Sequence, residues 1–167
     1  MLFRSLGALR DAPHWVLRIA GGGASPAEVA YADQLKEAVA AAGIPGRVQF
    51  LGPRRDIPAL LPAVDIYCQP NVSPEPFGIS FVEALYAGVP VLTSASGGAL
   101  EVIQDDCGCL IPPGDTPALV NTLSRWIADP ALRRRLGAAG PARARFISDP
   151  VQQVGRAHRI FREVTGG

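Results

Sequence analysis

Five short apolar runs, separated by segments with helical spacing, constrain this chain more than any other feature. The runs are His14–Ala20, Arg47–Leu51, Val64–Cys68, Val89–Thr93 and Cys109–Ile111. Between and after them lie helix-compatible stretches. One starts at Ser25-Pro26 and reaches about Ala42, a short one runs from Asp56 through Leu61, and one opens near Phe77 or Gly78 and stops at Gly88-Val-Pro90. A short helix bears Glu101, and three more cover Leu119–Ala128, Pro130 to about Phe146, and Pro150–Val164. Such alternation predicts an α/β fold: a doubly wound parallel sheet with helices on both faces and ligands at the carboxyl edge of the strands. Gly21, Gly52, Ser73 and Ser94 all follow strands and should collect on that edge. The opening segment Leu2–Leu9 is also helical in spacing, without a cap or a strand before it.

Turn chemistry supports the reading. Ser25 can cap the first long helix with Pro26 in its first turn. Asp56 is a candidate cap for the short helix, and Asp115 or Thr116 for the helix at Leu119. Gly21-Gly22-Gly23 follows a strand, but a Gly-x-Gly-x-x-Gly dinucleotide fingerprint fails because residue 26 is proline. These glycines read as a turn that can border a nucleotide pocket.

The stretch from Ser73 to Asp115 is the only part that reads as a site. Pro74 and Pro76 flank Glu75 and bias Ser73 and Glu75 away from helical backbone, so the Glu75 carboxylate sits on an extended, pre-ordered loop. Phe81, Val82, Leu85 and Tyr86 then fall at helical spacing. A helix start leaves N–H groups unpaired and carries the positive end of the macrodipole, and a glycine there lets a phosphate approach. Glu83 projects from the second turn of the same helix. One carboxylate at the helix mouth and one on its side suit vicinal hydroxyls on either side of a diphosphate, as in a nucleotide sugar.

Glu75 and Glu83 with Pro-Phe-Gly between them, Glu-Ala-Leu-x-Ala-Gly-Val-Pro-Val, Gly97-Gly98, Glu101 and Gly108-x-Leu-Ile-x-Pro-Gly-Asp115 together resemble the donor-binding half of retaining glycosyltransferases of the GT-B type. The likeness runs from Met1 almost to the C-terminus. It implies a Rossmann-like GT-B C-terminal domain over residues 1–167, with a UDP- or GDP-linked sugar as donor substrate and no cofactor. By the same resemblance Glu83 holds the ribose hydroxyls. Backbone N–H groups of Phe77, Gly78 and Ile79 hold the diphosphate and sugar, and Glu75 binds the sugar hydroxyls as the candidate catalytic residue. Gly21 and Gly22 border the donor cleft, and Phe50-Leu-Gly52-Pro53 matches the loop that reads the base. Arg54 and Arg55 read as a solvated charge pair rather than phosphate ligands.

The resemblance also implies what is missing: the N-terminal acceptor domain, the first strand of this domain, and the elements that place an arginine and a lysine on the diphosphate. That strand would be central, so the sheet should be incomplete between the strands at Trp15 and Val64. The single lysine, Lys36, lies mid-helix and cannot replace the missing one. Two other classes remain open, a non-enzymatic nucleotide-sugar-binding or regulatory subunit and a nucleotide-sugar epimerase. The glutamate spacing and Pro-Phe-Gly speak against the epimerase.

A net charge of +1 gives no global field for nucleic acid. No Asp-x-Asp motif suggests a bound divalent metal. No apolar run spans a membrane, and Cys68, Cys107 and Cys109 read as reduced, mostly buried thiols of a cytoplasmic protein. Residues 131–167 carry eight arginines against Asp149 and Glu163. They read mostly as a solvated face, the alternative being peripheral contact with an anionic membrane at the cytoplasmic side.

Overall fold

A computed structural model describes residues 1–12, 14–23 and 25–165. The elements run α1 (Leu2–Ala8), β1 (Leu17–Ala20), α2 (Pro26–Ala41), β2 (Val48–Gly52), α3 (Ile57–Leu60), β3 (Tyr67–Gln69) and α4 (Ile79–Tyr86). They continue with β4 (Val91–Ser94), α5 (Ala99–Val102), β5 (Gly108–Ile111), α6 (Thr116–Ala128), α7 (Pro130–Ser148) and α8 (Pro150–Thr165). All strand pairs are parallel. The ladder is interrupted: β1 pairs with β2, and β3, β4 and β5 form a separate sheet in that order.

The middle strand β4 is buried along its whole length, as expected for a parallel strand covered on both faces. Its alternate side chains enter two different cores. Leu92 joins Leu6, Leu119, Leu123 and Trp126, with Leu17, Val48 and Phe50 of the first sheet packed against them. Val91 joins Phe81, Leu85, Val102 and Ala144 on the opposite face. The second core fixes α4, because α7 lies directly against it. A Cβ on Gly140 would come within 2.7 Å of the Leu85 carbonyl oxygen, so only glycine permits that approach.

Several boundaries depart from expectation for local reasons. The first strand begins at Leu17 rather than His14, because Trp15 turns inward: its Nε1–H donates to the Leu9 carbonyl across 2.9 Å and the Arg47 guanidinium stacks over its ring at 5.0 Å. The third strand spans Tyr67–Gln69 rather than Val64–Cys68, since a 3₁₀ turn occupies Leu61–Ala63. Asp56 precedes α3 without capping it. Its carboxylate is held instead by Arg54, whose Nε donates to Oδ1 across 2.8 Å, which holds the Asp56 carboxyl below its ordinary value. Ser25 and Glu28 form a reciprocal capping box on α2, and Asp115 accepts from the Ala118 N–H at 2.8 Å.

The C-terminal arginines divide in two. Arg133 is anchored: Nη1 donates to the Trp126 and Ile127 carbonyls at the end of α6, 2.6 and 2.9 Å away, and Nη2 reaches Asp65 at 3.2 Å. Arg143 donates to the Val102 carbonyl at 3.0 Å and to that of Glu101. These two are structural rather than solvated; Arg134, Arg135, Arg145, Arg156, Arg159 and Arg162 remain exposed. Helix α8 buries none of its residues. No helix among the described residues is long and apolar enough to cross a membrane.

Candidate functional site

The loop between β3 and α4 carries the candidate residues. Gly78 occupies the N-cap of α4 in the left-handed region, at φ 86° and ψ 55°, and it is buried. A side chain there would be strained and would run into the Phe81 ring. Its carbonyl accepts the Phe81 N–H at 2.9 Å, which starts the helix, and no side chain caps it. The first-turn N–H groups of Ile79 and Ser80 are therefore left for solvent or an anion. Phe77 and Ile79 flank this opening and are exposed by 47% and 68%.

Glu75 is clamped through its main chain. It forms an isolated parallel bridge with Gly97, and its carbonyl accepts the Gly98 N–H at 2.7 Å. The Glu75 side chain is half-buried, whereas Glu83 is exposed on the solvent stripe of α4 with Ile79 and Tyr86. Burial raises the Tyr67 phenol above its ordinary value, opposed in part by Ser80, so the phenol remains a hydrogen-bond donor.

Residues that the sequence reading did not single out fill the floor of this loop. The Tyr67 hydroxyl donates to Gln69 Oε1 at 2.6 Å, and the Ser80 hydroxyl to the same oxygen at 3.3 Å. Gln69 Nε2 donates to Asn71 Oδ1 at 3.3 Å, and Asn71 Nδ2 to Glu75 Oε2 at 3.4 Å. The available signal was the polar Gln69 closing an otherwise apolar run, with Asn71 two residues on. Ser94, at the end of β4, has a buried hydroxyl without a hydrogen-bond partner among the described residues.

The remaining candidates lie at the ends of the other two strands. Gly21 and Gly22 follow β1 at φ 129° and 100°, and the Gly21 N–H donates to the Gly52 carbonyl across 2.9 Å. The turn after β1 is thus tied to the turn after β2, next to exposed Pro53. Arg54 is engaged with Asp56 and Arg55 is exposed. Burial pushes the Cys68 thiol up to about 12, which leaves it inert at neutral pH. Among the described residues no three His, Cys, Asp or Glu side chains cluster in a way that could hold a metal ion.

Parallel strands flanked by helices, with turns and a helix start at the strand ends, define an α/β domain whose candidate residues lie at the ends of its strands. The chain belongs to the glycosyl transferases group 1 family, whose model matches residues 1–143. Its fold is that of GT-B glycosyltransferases. It superposes on Anabaena Alr3699/HepE, crystallised in complex with UDP and glucose, with a TM-score of 0.82 and 28% identity, over 95% of this chain and 44% of that one. It is 39% identical over 103 residues to a phosphatidyl-myo-inositol mannosyltransferase of Mycobacterium leprae, covering 60% of this chain and 28% of that protein. It is 33% identical over 130 residues to the lipopolysaccharide core biosynthesis mannosyltransferase LpsB of Rhizobium meliloti, covering 76% and 36% respectively. The chain spans less than half the length of each of these relatives.

Proposed function

We propose that this chain is the donor-binding portion of a retaining glycosyltransferase that moves a hexose from a UDP- or GDP-linked sugar to an acceptor hydroxyl. The observation that carries the reading is the Glu75 main chain clamped to Gly97 and Gly98 beside the uncapped start of α4 at Gly78. Glu83 accepts hydrogen bonds from the ribose hydroxyls, while N–H groups of Phe77, Gly78 and Ile79 hold the diphosphate and sugar. Glu75 accepts from the sugar hydroxyls next to the bond that breaks. The turns at Gly21, Gly22, Gly52 and Pro53 border the nucleotide. As the bond from the anomeric carbon to the diphosphate breaks, charge grows on the departing phosphate, where the helix dipole of α4 stabilises it.

The lone lysine, Lys36, is paired with Asp33 at 2.8 Å on α2, and no cation of this loop is assigned to the phosphates. On this reading turnover needs an acceptor site and phosphate-neutralising cations besides the groups of this loop. The second reading, a nucleotide-sugar-binding subunit without activity of its own, shares the same donor site. Calorimetric titration with UDP, GDP, UDP-glucose and GDP-mannose tests the binding site. Transfer assayed with this chain supplied with an acceptor domain of the family, and lost in Glu75→Gln, then separates enzyme from binding subunit.

Helix α8 favours a peripheral membrane contact. At 3.6 residues per turn, Val151, Val154, Ile160, Phe161 and Val164 share one arc, opposite Arg156, Arg159 and Arg162. Those apolar side chains are 52–80% exposed. A basic amphipathic helix with this pattern lies in an anionic lipid surface. Co-sedimentation with phosphatidylserine vesicles, lost when residues 150–167 are removed, is the expected result. Equal sedimentation with and without α8 would contradict it.

A further inference from the structure

The side-chain hydrogen bonds beneath the β3–α4 loop form a chain with a direction. Tyr67 and Ser80 donate to Gln69, Gln69 donates to Asn71, and Asn71 donates to Glu75. The direction follows from the last member. An ionised carboxylate only accepts, so Asn71 must turn Nδ2 toward Glu75 and Oδ1 toward Gln69. Gln69 must then present Nε2 to Asn71, which leaves its Oε1 facing the two hydroxyls. Reversing either amide would oppose two donors or two acceptors.

The chain is rooted in rigid structure. The Tyr67 ring meets the fully buried Phe81 ring edge to face, with centroids 6.2 Å apart. The Gln69 main chain is held by Thr93, whose Oγ1 donates to the Gln69 carbonyl at 2.7 Å. At the other end only Oε2 of Glu75 is engaged; Oε1 has no hydrogen bond among the described residues. One carboxylate oxygen is thus tethered at the long end of hydrogen-bond range, and the other is available to a ligand.

We propose that Gln69 and Asn71 are positioning residues that aim the Glu75 carboxylate at the sugar of the bound donor, an inference that rests on the donor-site reading above. A side chain with three rotatable bonds discriminates among hydroxyls only when its neighbours fix its orientation. The relay therefore serves selectivity for the sugar moiety and leaves nucleotide recognition to other groups. Neither residue is expected to contact the diphosphate.

Two measurements on the full chain test this. The first needs no ligand. The side-chain amide resonances of Gln69 and Asn71, assigned by NMR, are expected to move in Glu75→Gln and to stay in place in Glu83→Gln. Unmoved amides in Glu75→Gln would overturn the relay. The second is calorimetric. Asn71→Leu is expected to weaken UDP-glucose or GDP-mannose, whichever binds, about tenfold, with the free nucleoside diphosphate changed less than twofold. The same substitution in a Glu75→Gln background is expected to add nothing further. Equal weakening of diphosphate and nucleotide sugar, or full additivity with Glu75→Gln, would overturn the positioning role. If the wild-type chain binds none of the four ligands, the donor-site reading fails and the positioning role fails with it, while the amide shifts still report whether the relay exists.

Discussion

The Gly98 N–H donates to the Glu75 carbonyl across 2.7 Å, and this bond joins the loop after β3 to the turn after β4. Beside it, Gly97 adopts φ 58°, and a Cβ at that position would run into the Glu75 main chain. A Cβ on Gly98 would lie 2.6 Å from the Phe77 Cα. The paired glycines therefore permit the close contact that places Glu75 and Phe77 at the start of α4.

Gly98→Ala is expected to cost about 1–3 kcal/mol of stability, because the neighbour that must yield is backbone rather than a flexible side chain. Denaturant unfolding measures it. A loss below about 0.5 kcal/mol would show that the two loops can separate without cost.

Glu83→Ala is expected to weaken nucleoside diphosphate binding with little change in melting temperature, since the side chain is exposed. Thermal scans with and without ligand separate the effects. An equal loss of melting temperature in both would place Glu83 in the fold rather than at the ligand.

Glu75→Gln is expected to weaken the nucleotide sugar more than the free diphosphate. Titration of both ligands against the same variant checks this. Identical losses would remove Glu75 from the sugar site.

Arg133→Ala and Arg134→Ala give a paired test of the C-terminal helices. Arg133 satisfies two carbonyls at the end of α6, so its loss is expected to cost about 1–3 kcal/mol. Exposed Arg134 is expected to change stability by no more than about 0.5 kcal/mol. Similar values for the two variants would contradict the division between anchored and solvated arginines.

The parts legible in sequence were those fixed by local chemistry. The start of α4 follows from Gly78, the caps of α2 and α6 from Ser25 and Asp115, and the strand order of events from apolar runs bounded by glycine and proline. Relations between distant residues were not legible. Nothing local to Arg133 reveals that it reaches Asp65, and nothing local to Trp15 reveals that its indole turns to Leu9 and shortens β1. The same holds within the candidate site. Glu75 and Glu83 stand out by spacing, but the chain from Tyr67 through Gln69 and Asn71 to Glu75 emerges only when β3 is laid under the loop.

Calorimetric titration of the wild-type chain with UDP, GDP, UDP-glucose and GDP-mannose, after circular dichroism has shown it folded, tests the central claim most directly. The expected result is saturable binding by one base series, weakened by Glu83→Ala. Folded protein that binds none of the four would contradict a donor site built from Glu75, Glu83 and the start of α4.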